Sequence, residues 1–568
     1  MAAATVDRPG MPVGISDFPS LRKNHYYFVD KTDIIRTLLQ NKKKVTLFTR
    51  PRRFGKTLTM SMIASFFDIT KKDRVQEWFA ETKIANDTTA MKEAGTSPVV
   101  MISLKDVSGT TTAEIVGMLR YTVSALYQSY LFLQEADCLT PNEKQIFDRI
   151  SSGTASLEDL KTSLRSLTNF LSRYYHKNPV LLIDEYDAPI QCAWDHGCYD
   201  EVISVVRTFL SSAFKDNPFI NFAVVTGVLR VAKESIFSGL NNLVVSTVLH
   251  GGCGDAFGFT PQEVAEMARV LGCEDKLPEL ARWYDGYHFQ GADIYNPWSV
   301  LNYFQEHCKA RPFWVNTSSN SILRTMLARA DARTWKEMQA LLAGKSIASA
   351  ITESTIYSDH MGAQRNELYS VLLFCGYLQG TGEILDEDEG EDAEPLYQLS
   401  IPNKEIRFIF RREVLYWING TEGTDIALYD MLQAMIAGDT ISFEENLQDL
   451  LLRTVSYHDT AKQPECFYHG LMLGLTLFYE HRYRAQSNRE SGYGRFDLAL
   501  FPKKPNLPGI IMEFKASDQA DELHTDAKQA LAQIDTKSYL TEFQAEHITP
   551  VWKYGIAFCG KQVTIQSA

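Results

Sequence analysis

The sequence lacks the features of a membrane protein, of a disulfide-stabilised domain and of a zinc-finger protein. Its nine cysteines are scattered along 568 residues, and no two of them show the spacing of a zinc-finger pair. Isolated cysteines in odd number are typical of buried thiols in a reducing compartment. The longest uncharged stretch, residues 235–254, is interrupted by asparagines, a histidine and glycines, whereas a membrane span needs ~20 mostly apolar residues. We therefore expect no membrane association.

The N-terminus and the overall charge exclude two further classes. The opening MAAATVDRPGMPVG has neither the basic region nor the apolar run of a signal peptide, so we expect a cytoplasmic location. The chain has no basic excess, because 57 Lys and Arg stand against 70 Asp and Glu and give a net charge of -13. Such a surface repels polyanions on average, so a nucleic-acid site must be a local basic cleft.

The composition of the sequence is that of an ordinary globular protein, and its pattern predicts strands that alternate with helices. Hydrophobic residues make up 45% and charged residues 22%, which is typical of folded domains, and the length has room for about three to five of them. Four short apolar runs have the character of buried strands, at residues 45–49, 98–104, 180–183 and 219–226. Because helical patterns separate these runs, they predict a parallel sheet covered on both faces, within residues 12–255.

The rest of the chain predicts two further regions. Residues 257–416 are mostly helical, so we expect a helical lid and a winged or helical module within residues 256–425. A carboxylate run at residues 383–394 lies between two strand-like runs and predicts a solvated hairpin tip, with a partner-binding tail as the alternative. From about residue 440 the pattern predicts helix, strand, strand, helix and strand, which indicates a separate domain over residues 435–568.

The stretch KVTLFTRPRRFGKTLTMS, residues 44–61, has the character of a phosphate-binding loop. It places Gly55, Lys56 and Thr57 between an apolar strand and a helix. Free backbone N–H groups, a reaching ammonium and a hydroxyl for Mg²⁺ are what a nucleoside triphosphate needs. The usual GxxxxGK[ST] loop has its first glycine where this chain has Arg50, and a GKT tripeptide alone often occurs by chance.

Two carboxylates follow the strand in PVLLIDEYDAPI, residues 179–190. Asp184 can hold the Mg²⁺ shell and Glu185 can polarise the attacking water, although both can also simply begin a solvated turn. Their order after the loop lysine favours a nucleotide site. Thr226 ends another strand, where it can sense the γ-phosphate. After it, Arg230 or Lys233 can stabilise transfer, or serve as ordinary surface cations.

The C-terminal segment carries a second set of charged residues. Asp497 lies in the strand-like FDLALF, and Glu513 and Lys515 lie in the strand-like GIIMEFKA after a proline-containing turn. On the two strands of a hairpin Asp497 lies beside Glu513, and alternation sends Glu513 and Lys515 to the same face. Two adjacent carboxylates repel each other unless a divalent cation bridges them. The set therefore predicts a metal site at which Lys515 positions a nucleophile.

Several stretches resemble one family of bacterial proteins, the AAA-ATPase-like proteins. The resemblance is carried by HYYFVDKTDII (25–35), RPRRFGKT (50–57), LLIDEYDAPI (181–190), TGVLRVAKESIFSGLNNL (226–243), FGFTPQEV (257–264), WYDGYHF (283–289), YNPWSVLNYF (295–304) and LSIPNKEI (399–406). It implies that an arginine at the position of Arg50 is usual in this family. The missing glycine then does not argue against ATP binding by the loop. The implied loop residues are Arg50, Pro51, Arg52, Arg53, Phe54, Gly55, Lys56 and Thr57.

Members of this family often carry a C-terminal domain of the PD-(D/E)xK nuclease superfamily. The resemblance assigns a third acidic metal ligand to Glu465, beside Asp497 and Glu513, whereas the alternative makes Glu465 a helix N-terminal charge. Gln533 and Tyr539 line the same cleft in superfamily relatives, and helix packing is the favoured alternative for both. His469 lies one helical turn after Glu465.

The predicted fold is therefore α/β: a P-loop parallel sheet with a helical lid and a winged or helical module, then a restriction-endonuclease-like domain. The predicted function is ATP binding and hydrolysis that control Mg²⁺-dependent cleavage of nucleic acid, and Mn²⁺ is compatible with the nuclease-like site. The alternative is a nucleotide-dependent binding switch that does not cut. A basic stripe of Lys404, Arg407, Arg411 and Arg412 is the candidate phosphate contact. DNA, RNA and a homo-oligomer all stay open.

Overall fold

A computed structural model gives the fold of the chain. It describes residues 9–231, 243–314, 332–342, 344–353, 365–384, 395–419, 426–454, 468–469, 471–472, 475, 482–491, 494–536 and 539–568. The chain forms two compact units, one of Met1–Ser318 with Ala348–Ile406, and one of Ser319–Ile347 with Arg407–Ala568. The three predicted domains, 12–255, 256–425 and 435–568, stay predictions.

The first unit is built on a five-stranded parallel sheet, which confirms the predicted fold class. Its strands are β1 Val45–Thr49, β2 Val99–Ser103, β3 Val180–Asp184, β4 Ala223–Gly227 and β5 Leu243–Ser246, in the order β2-β3-β4-β1-β5. Every residue of β1, β3 and β4 is buried, as expected for central strands with helices on both faces. The sequence reasoning missed β5, which is only four residues long and mostly half-buried.

Nine helices of this unit accompany the sheet in the described residues up to position 231. They are α1 Phe18–Lys23, α2 Asp33–Asn41, α3 Lys56–Phe67, α4 Lys72–Trp78, α5 Thr112–Gln128, α6 Pro141–Ser151, α7 Leu157–Tyr175, α8 Ala188–Asp195 and α9 Tyr199–Phe214. Capping boxes start α6, at Thr140, and α7, at Ser156, and each satisfies N–H groups that a helix leaves unpaired. The helix α3 is buried along most of its length, so its first turn is fixed against the sheet.

A mixed region follows the sheet and carries more strand than the sequence suggested. It contains α10 Pro261–Leu271, α11 Leu277–Tyr284, the hairpin β6 Tyr287–Phe289 with β7 Ala292–Ile294, α12 Pro297–Gln305, α13 Ala332–Leu342, β8 Ile347–Ala350, α14 Arg365–Phe374, β9 Gln379–Ile384, β10 Leu396–Ser400 and α15 Lys404–Asn419. The strands β9 and β10 pair antiparallel, which confirms the hairpin, and its predicted acidic tip lies largely outside the described residues.

The aromatic stretch WYDGYHF serves packing. Tyr284 is fully buried and its ring lies 5.8 Å from that of Tyr303. Tyr287 and Phe289 are buried as well, and their rings lie 5.1 and 5.2 Å from the ring of Phe54 in the candidate phosphate-binding loop. This region therefore supports the loop from the side.

The second unit contains α13 and most of α15, followed by α16 Ile426–Ala437, α17 Thr440–Thr454 and a five-stranded mixed sheet. The sheet elements are β11 Tyr483–Ser491, β12 Gly494–Pro502, β13 Gly509–Ala516, α18 Leu523–Thr536, α19 Thr541–Ala545, β14 Val551–Cys559 and β15 Gln562–Ser567. Only β13 and β14 pair parallel, and α18 joins them as a crossover. The predicted element order was wrong in omitting β11 and β15, because both are edge strands without a long apolar run.

The crossover helix lies close to the sheet. At Gly555 of β14 an added Cβ would lie 2.2 Å from the Ala527 carbonyl oxygen, so only glycine allows this approach. No helix among the described residues is long and apolar enough to cross a bilayer.

Candidate nucleotide and metal sites

The carboxyl ends of β1, β3 and β4 bring the candidate nucleotide residues together, because β4 lies between β1 and β3. Asp184 ends β3 and is 1% exposed. The Thr57 hydroxyl donates to Asp184 Oδ2 at 2.6 Å, and the Thr226 hydroxyl donates to Oδ1. The carboxylate is therefore fixed between two hydroxyls, in an arrangement suited to the hydration shell of Mg²⁺.

Lys56 is a buried ammonium in the first turn of α3. Its Nζ donates to the backbone carbonyls of Arg50 and Pro51 at 3.0 and 2.9 Å. Burial lowers its pKa, and the charges of Glu185 and Asp184 oppose this effect. Both acceptors of its hydrogen bonds in the described part of the chain are uncharged backbone carbonyls. A buried cation with only neutral acceptors suits an anionic ligand such as phosphate.

The helix start beside Lys56 is open. Gly55 has φ 84°, and an added Cβ there would meet no atom within 4 Å. The positive φ is one that glycine adopts without strain. Because the backbone N–H groups at the start of α3 lie next to Lys56, the donor set fits the phosphates of a nucleotide.

The Arg50 side chain turns into the protein and away from this opening. Its guanidinium makes five hydrogen bonds, of 2.8 to 3.0 Å, to the Thr49, Ser246, Thr247 and Cys253 carbonyls and to the Ser246 hydroxyl. Burial lowers its pKa to about 10. The side chain therefore fastens the loop to the chain that follows β5, and leaves the phosphate contacts to other groups.

The other loop residues are held by side chains. Arg52 Nη2 donates to Gln191 Oε1 at 2.9 Å, and the Arg53 guanidinium lies 4.3 Å from the centre of a Trp298 ring. Pro51 packs beneath Gly376, where an added Cβ would lie 2.8 Å from the proline Cβ. These contacts hold a loop in which Gly55 is the one glycine between residues 50 and 57.

Glu185 lies next to this opening with an unusual backbone. Its φ is 51°, and its N–H donates to the Thr226 hydroxyl at 3.4 Å. Burial raises the pKa of its carboxyl, while the nearby Lys56 ammonium lowers it. Left-handed conformations in residues other than glycine cost strain and concentrate at functional sites.

Tyr186 and Asp187 form a connection that the sequence reasoning missed. The buried Asp187 carboxylate accepts the N–H groups of Val228 and Leu229 at 2.9 and 2.8 Å. The Tyr186 hydroxyl donates to the Leu229 carbonyl at 2.8 Å. The pair therefore fixes the chain that leaves β4 toward Arg230. The second aspartate of DEYD, Asp187, was the available signal, and Lys233 lies outside the described residues.

The C-terminal candidate residues meet on β12 and β13. The pairing of Leu498 with Met512 brings Asp497 opposite Glu513. The Asp497 N–H donates to Glu513 Oε2 at 3.3 Å, and the Phe514 N–H donates to Asp497 Oδ2 at 2.8 Å. Glu513 is 4% exposed, so this carboxylate is largely removed from water.

The crossover helix α18 contacts both charged residues of β13. Gln533 donates its amide to Glu513 Oε1, and Lys515 Nζ donates to Gln529 Oε1 at 2.5 Å. Glu513 and Lys515 therefore share the face that α18 covers. Gln529 was missed, although its spacing of one helical turn from Gln533 was a readable signal. Tyr539 is 1% exposed and packs in the core, with its ring 6.1 Å from that of Phe496.

His469 extends this cluster. The His469 ring is 5.7 Å from the Phe514 ring, and burial lowers its pKa while a hydrogen bond with the Asp497 backbone raises it. Glu465 lies outside the described residues. Within those residues no group of three or more His, Cys, Asp or Glu could hold a metal. Asp497 and Glu513 supply the oxygen donors that Mg²⁺ prefers, and leave positions for water.

The predicted basic stripe is partly engaged within the protein. The Lys404 ammonium lies 4.3 Å from the centre of a Trp283 ring. Burial and the neighbouring Arg407 lower the pKa of Arg411 to about 10. Arg412 lies 3.7 Å from the buried Glu413. The assignment of this stripe to nucleic acid stays a prediction.

Comparisons with known proteins match an N-terminal and a C-terminal part of the chain to two different families. Residues 12–237 match the family model described as predicted AAA-ATPase, and residues 463–568 match the model of the PD-(D/E)XK nuclease superfamily. Over 567 residues the chain is 25% identical to an uncharacterized protein in the vnfD 5' region of Azotobacter chroococcum mcd 1, and the match covers 97% of each protein.

Proposed function

For a chain that joins a predicted AAA-ATPase domain to a PD-(D/E)XK nuclease superfamily domain, we propose an ATPase whose nucleotide state controls nucleic-acid cleavage. Its N-terminal site binds and hydrolyses ATP with Mg²⁺. Its C-terminal site cleaves phosphodiester bonds with Mg²⁺ or Mn²⁺. The eight described cysteines carry free thiols, which supports a reducing, cytoplasmic setting.

The ATPase half rests on the groups around Asp184. Asp184 and Thr57 hold the magnesium shell, Lys56 and the start of α3 bind the phosphates, and Glu185 orients the attacking water. The raised pKa of Glu185 suits a carboxylate that polarises water. Thr226 touches both Asp184 and Glu185, so it can report the presence of the γ-phosphate to both.

The nuclease half rests on one observation, that Asp497 and Glu513 meet on paired strands while α18 contacts Glu513 and Lys515. Asp497 and Glu513 hold the cation, with Glu465 as the proposed third ligand. A bound divalent cation lowers the pKa of its water and supports the charge that develops on phosphorus. Lys515 positions that nucleophile, and Gln529 holds the lysine in place.

The second candidate is a nucleotide-dependent binding switch that does not cut. The hydrogen bonds from Gln533 to Glu513 and from Lys515 to Gln529 favour it, because they occupy groups that cleavage requires. The presence of Asp497, Glu513 and Lys515 together favours cleavage. A site that no longer cuts has no chemical reason to keep both carboxylates and the lysine.

One assay separates the two candidates. The pure protein is incubated with mixed DNA and RNA substrates, with and without ATP, and with Mg²⁺ or Mn²⁺. We expect metal-dependent cleavage that ATP changes and that Asp497→Asn abolishes. ATP-dependent retention of uncut nucleic acid would instead support the switch, and ATP hydrolysis without any effect on nucleic acid would contradict both.

Control of cleavage by ATP has a thermodynamic signature. Coupling between two ligands is reciprocal and typically amounts to about 1–3 kcal/mol. In the Glu185→Gln variant, which we expect to bind ATP without hydrolysing it, nucleic acid should change the ATP affinity by the same factor as ATP changes the nucleic-acid affinity. If each ligand binds identically with and without the other, and Lys56→Ala cleaves at the wild-type rate, the two activities are independent.

A further inference from the structure

The chain at the end of β4 contacts both halves of the candidate nucleotide site. The Thr226 hydroxyl donates to the Asp184 carboxylate and accepts the Glu185 N–H at 3.4 Å. The next residue, Gly227, accepts the N–H of Arg50, the first residue of the candidate loop, at 3.1 Å. A small displacement of this chain would therefore disturb the carboxylates and the loop together.

Asp187 holds the chain directly after Gly227. The residue is 4% exposed, and one carboxylate oxygen, Oδ2, accepts the N–H groups of Val228 and Leu229 at 2.9 and 2.8 Å. An aspartate directly before a helix usually caps that helix. Within the described residues, the Asp187 side chain makes no capping hydrogen bond to α8, which begins at Ala188. Its carboxylate therefore serves the chain after β4 and not its own helix.

Tyr186 holds the same chain at three further points. Its hydroxyl donates to the Leu229 carbonyl at 2.8 Å and accepts the Val231 N–H at 3.1 Å. Its own N–H donates to the Thr226 carbonyl at 3.0 Å. The packing is close as well, since a Cβ added to Gly227 would lie 2.6 Å from the Tyr186 ring. The second half of the DEYD motif therefore sets the position of the backbone from residue 226 to residue 231.

We propose that Asp187 is a positioning residue for ATP hydrolysis: by accepting two backbone N–H groups after β4, it keeps the Thr226 hydroxyl between the Asp184 carboxylate and the Glu185 N–H. This inference rests on the proposed ATPase function. Asp187 itself contacts neither nucleotide nor metal and acts through the backbone. The role needs no negative charge, because one oxygen accepts both hydrogen bonds and an amide oxygen can accept N–H groups equally well.

The decisive comparison is Asp187→Ala with Asp187→Asn in the full chain. Asp187→Ala leaves two buried N–H groups without their acceptor and frees the chain, so we expect kcat to fall by about 10- to 100-fold. The ATP affinity should change by less than about 5-fold, because Lys56 and the start of α3 bind the phosphates. Asp187→Asn keeps an acceptor oxygen and should restore kcat to within about 3-fold of wild type. If Asp187→Asn is as slow as Asp187→Ala, the carboxylate acts through its charge and the positioning role is wrong.

A double-mutant cycle tests whether the effect passes through Thr226. Thr226→Val removes the hydroxyl, keeps the branched shape of the side chain and should slow hydrolysis by itself. If Asp187 acts by positioning that hydroxyl, adding Asp187→Ala to Thr226→Val should lower kcat further by less than about 3-fold. Two losses that multiply in the double variant would show that Asp187 acts by another route and would overturn the proposal.

A matched control separates positioning from general stability. Asp87 also accepts two backbone N–H groups, those of Thr89 and Ala90 at 3.0 Å each, outside the candidate site. Asp87→Ala should lower the unfolding midpoint and leave kcat unchanged. An equal loss of kcat in Asp87→Ala and Asp187→Ala would mean that both variants act through stability, which would overturn the positioning role.

Tyr186→Phe decides the matter if Asp187→Ala does not fold. It removes the hydroxyl that holds Leu229 and Val231 and leaves Asp187 in place. We expect kcat to fall by about 3-fold or more, and the loss to disappear in the Thr226→Val background. An unchanged kcat in Tyr186→Phe would show that the position of this chain does not matter to hydrolysis.

The outcomes distinguish this inference from the proposed function. If the wild-type protein does not hydrolyse ATP, the proposed ATPase fails and the role of Asp187 fails with it. If the wild-type protein hydrolyses ATP and Asp187→Ala stays within about 3-fold of its kcat, only the role of Asp187 is overturned.

Discussion

Asp497 and Glu513 are linked by two backbone hydrogen bonds between their strands. The Asp497 N–H donates to the Glu513 carboxylate, and the Phe514 N–H donates to the Asp497 carboxylate. An asparagine at 497 can still accept the Phe514 N–H. We therefore expect Asp497→Asn to abolish cleavage and to weaken Mn²⁺ binding at least about tenfold, with little loss of stability.

Calorimetric Mn²⁺ titration measures this effect. The matched control is Asp518→Asn, which neutralises an exposed carboxylate just after β13 and should leave the Mn²⁺ affinity unchanged. Equal affinity in wild type and Asp497→Asn would remove Asp497 from the metal site.

Lys56 and Glu185 should separate binding of ATP from its hydrolysis. Lys56→Ala removes the buried ammonium, so we expect it to weaken ATP binding by about tenfold or more. Glu185→Gln keeps the size of the side chain and loses its negative charge, so ATP should bind normally while hydrolysis slows by about 10²-fold or more. Fluorescent-nucleotide binding and phosphate release measure the two steps. Normal binding and hydrolysis in Lys56→Ala would make the loop assignment wrong.

Gly227 should be intolerant of a side chain. An added Cβ would lie 2.6 Å from the Tyr186 ring and 2.8 Å from Asp187 Oδ1, so Gly227→Ala should cost about 1–3 kcal/mol in the free energy of unfolding. Gly117 in α5 has no atom within 4 Å of an added Cβ, and Gly117→Ala should stabilise by about 0.5–1 kcal/mol. Denaturant titration compares the two. A neutral Gly227→Ala would show that Tyr186 and Asp187 move freely.

Glu405 should make the stability depend on pH. It is 1% exposed, accepts hydrogen bonds from the Ser299 hydroxyl and the Trp314 N–H at 2.7 and 2.9 Å, and has a pKa raised by burial from 4.5 to about 7. Since the unfolded chain ionises this carboxyl first, unfolding releases a proton between these pH values, and stability falls as the pH rises through them.

The comparison of wild type with Glu405→Gln isolates this effect. Relative to the variant, wild type should lose about 3 kcal/mol of stability between pH 4.5 and 7, and the difference should be constant above pH 7. Unfolding midpoints across this range provide the measurement. A difference that does not change with pH would mean that folding does not raise the pKa of Glu405.

The sequence predicted the parts of the fold whose physical cause is local. The strands β1 and β3 are short runs of mostly apolar residues, and such runs are recognisable without partners. The polar sequence YRAQSNRES of β11 gives no such signal, because its pairing with β12 provides the stabilisation that its side chains do not.

The candidate site shows the same limit. The loop lysine and the carboxylates follow from spacing along the chain. The orientation of Arg50 does not, because its acceptors Ser246, Thr247 and Cys253 lie about two hundred residues away. Gln529 was missed for a related reason: its function depends on which face of α18 meets Lys515.

The burial of Arg50 limits how this loop could be engineered. Replacing Arg50 with glycine would restore the common loop pattern, but it would leave a cavity lined by the Phe257 and Phe289 rings, which lie 5.3 and 5.7 Å from the guanidinium. It would also deprive several buried oxygens of their donor, and each such loss typically costs about 1–3 kcal/mol. A consensus-guided repair of this sequence would therefore damage the protein, since the arginine and its distant acceptors can be exchanged only together.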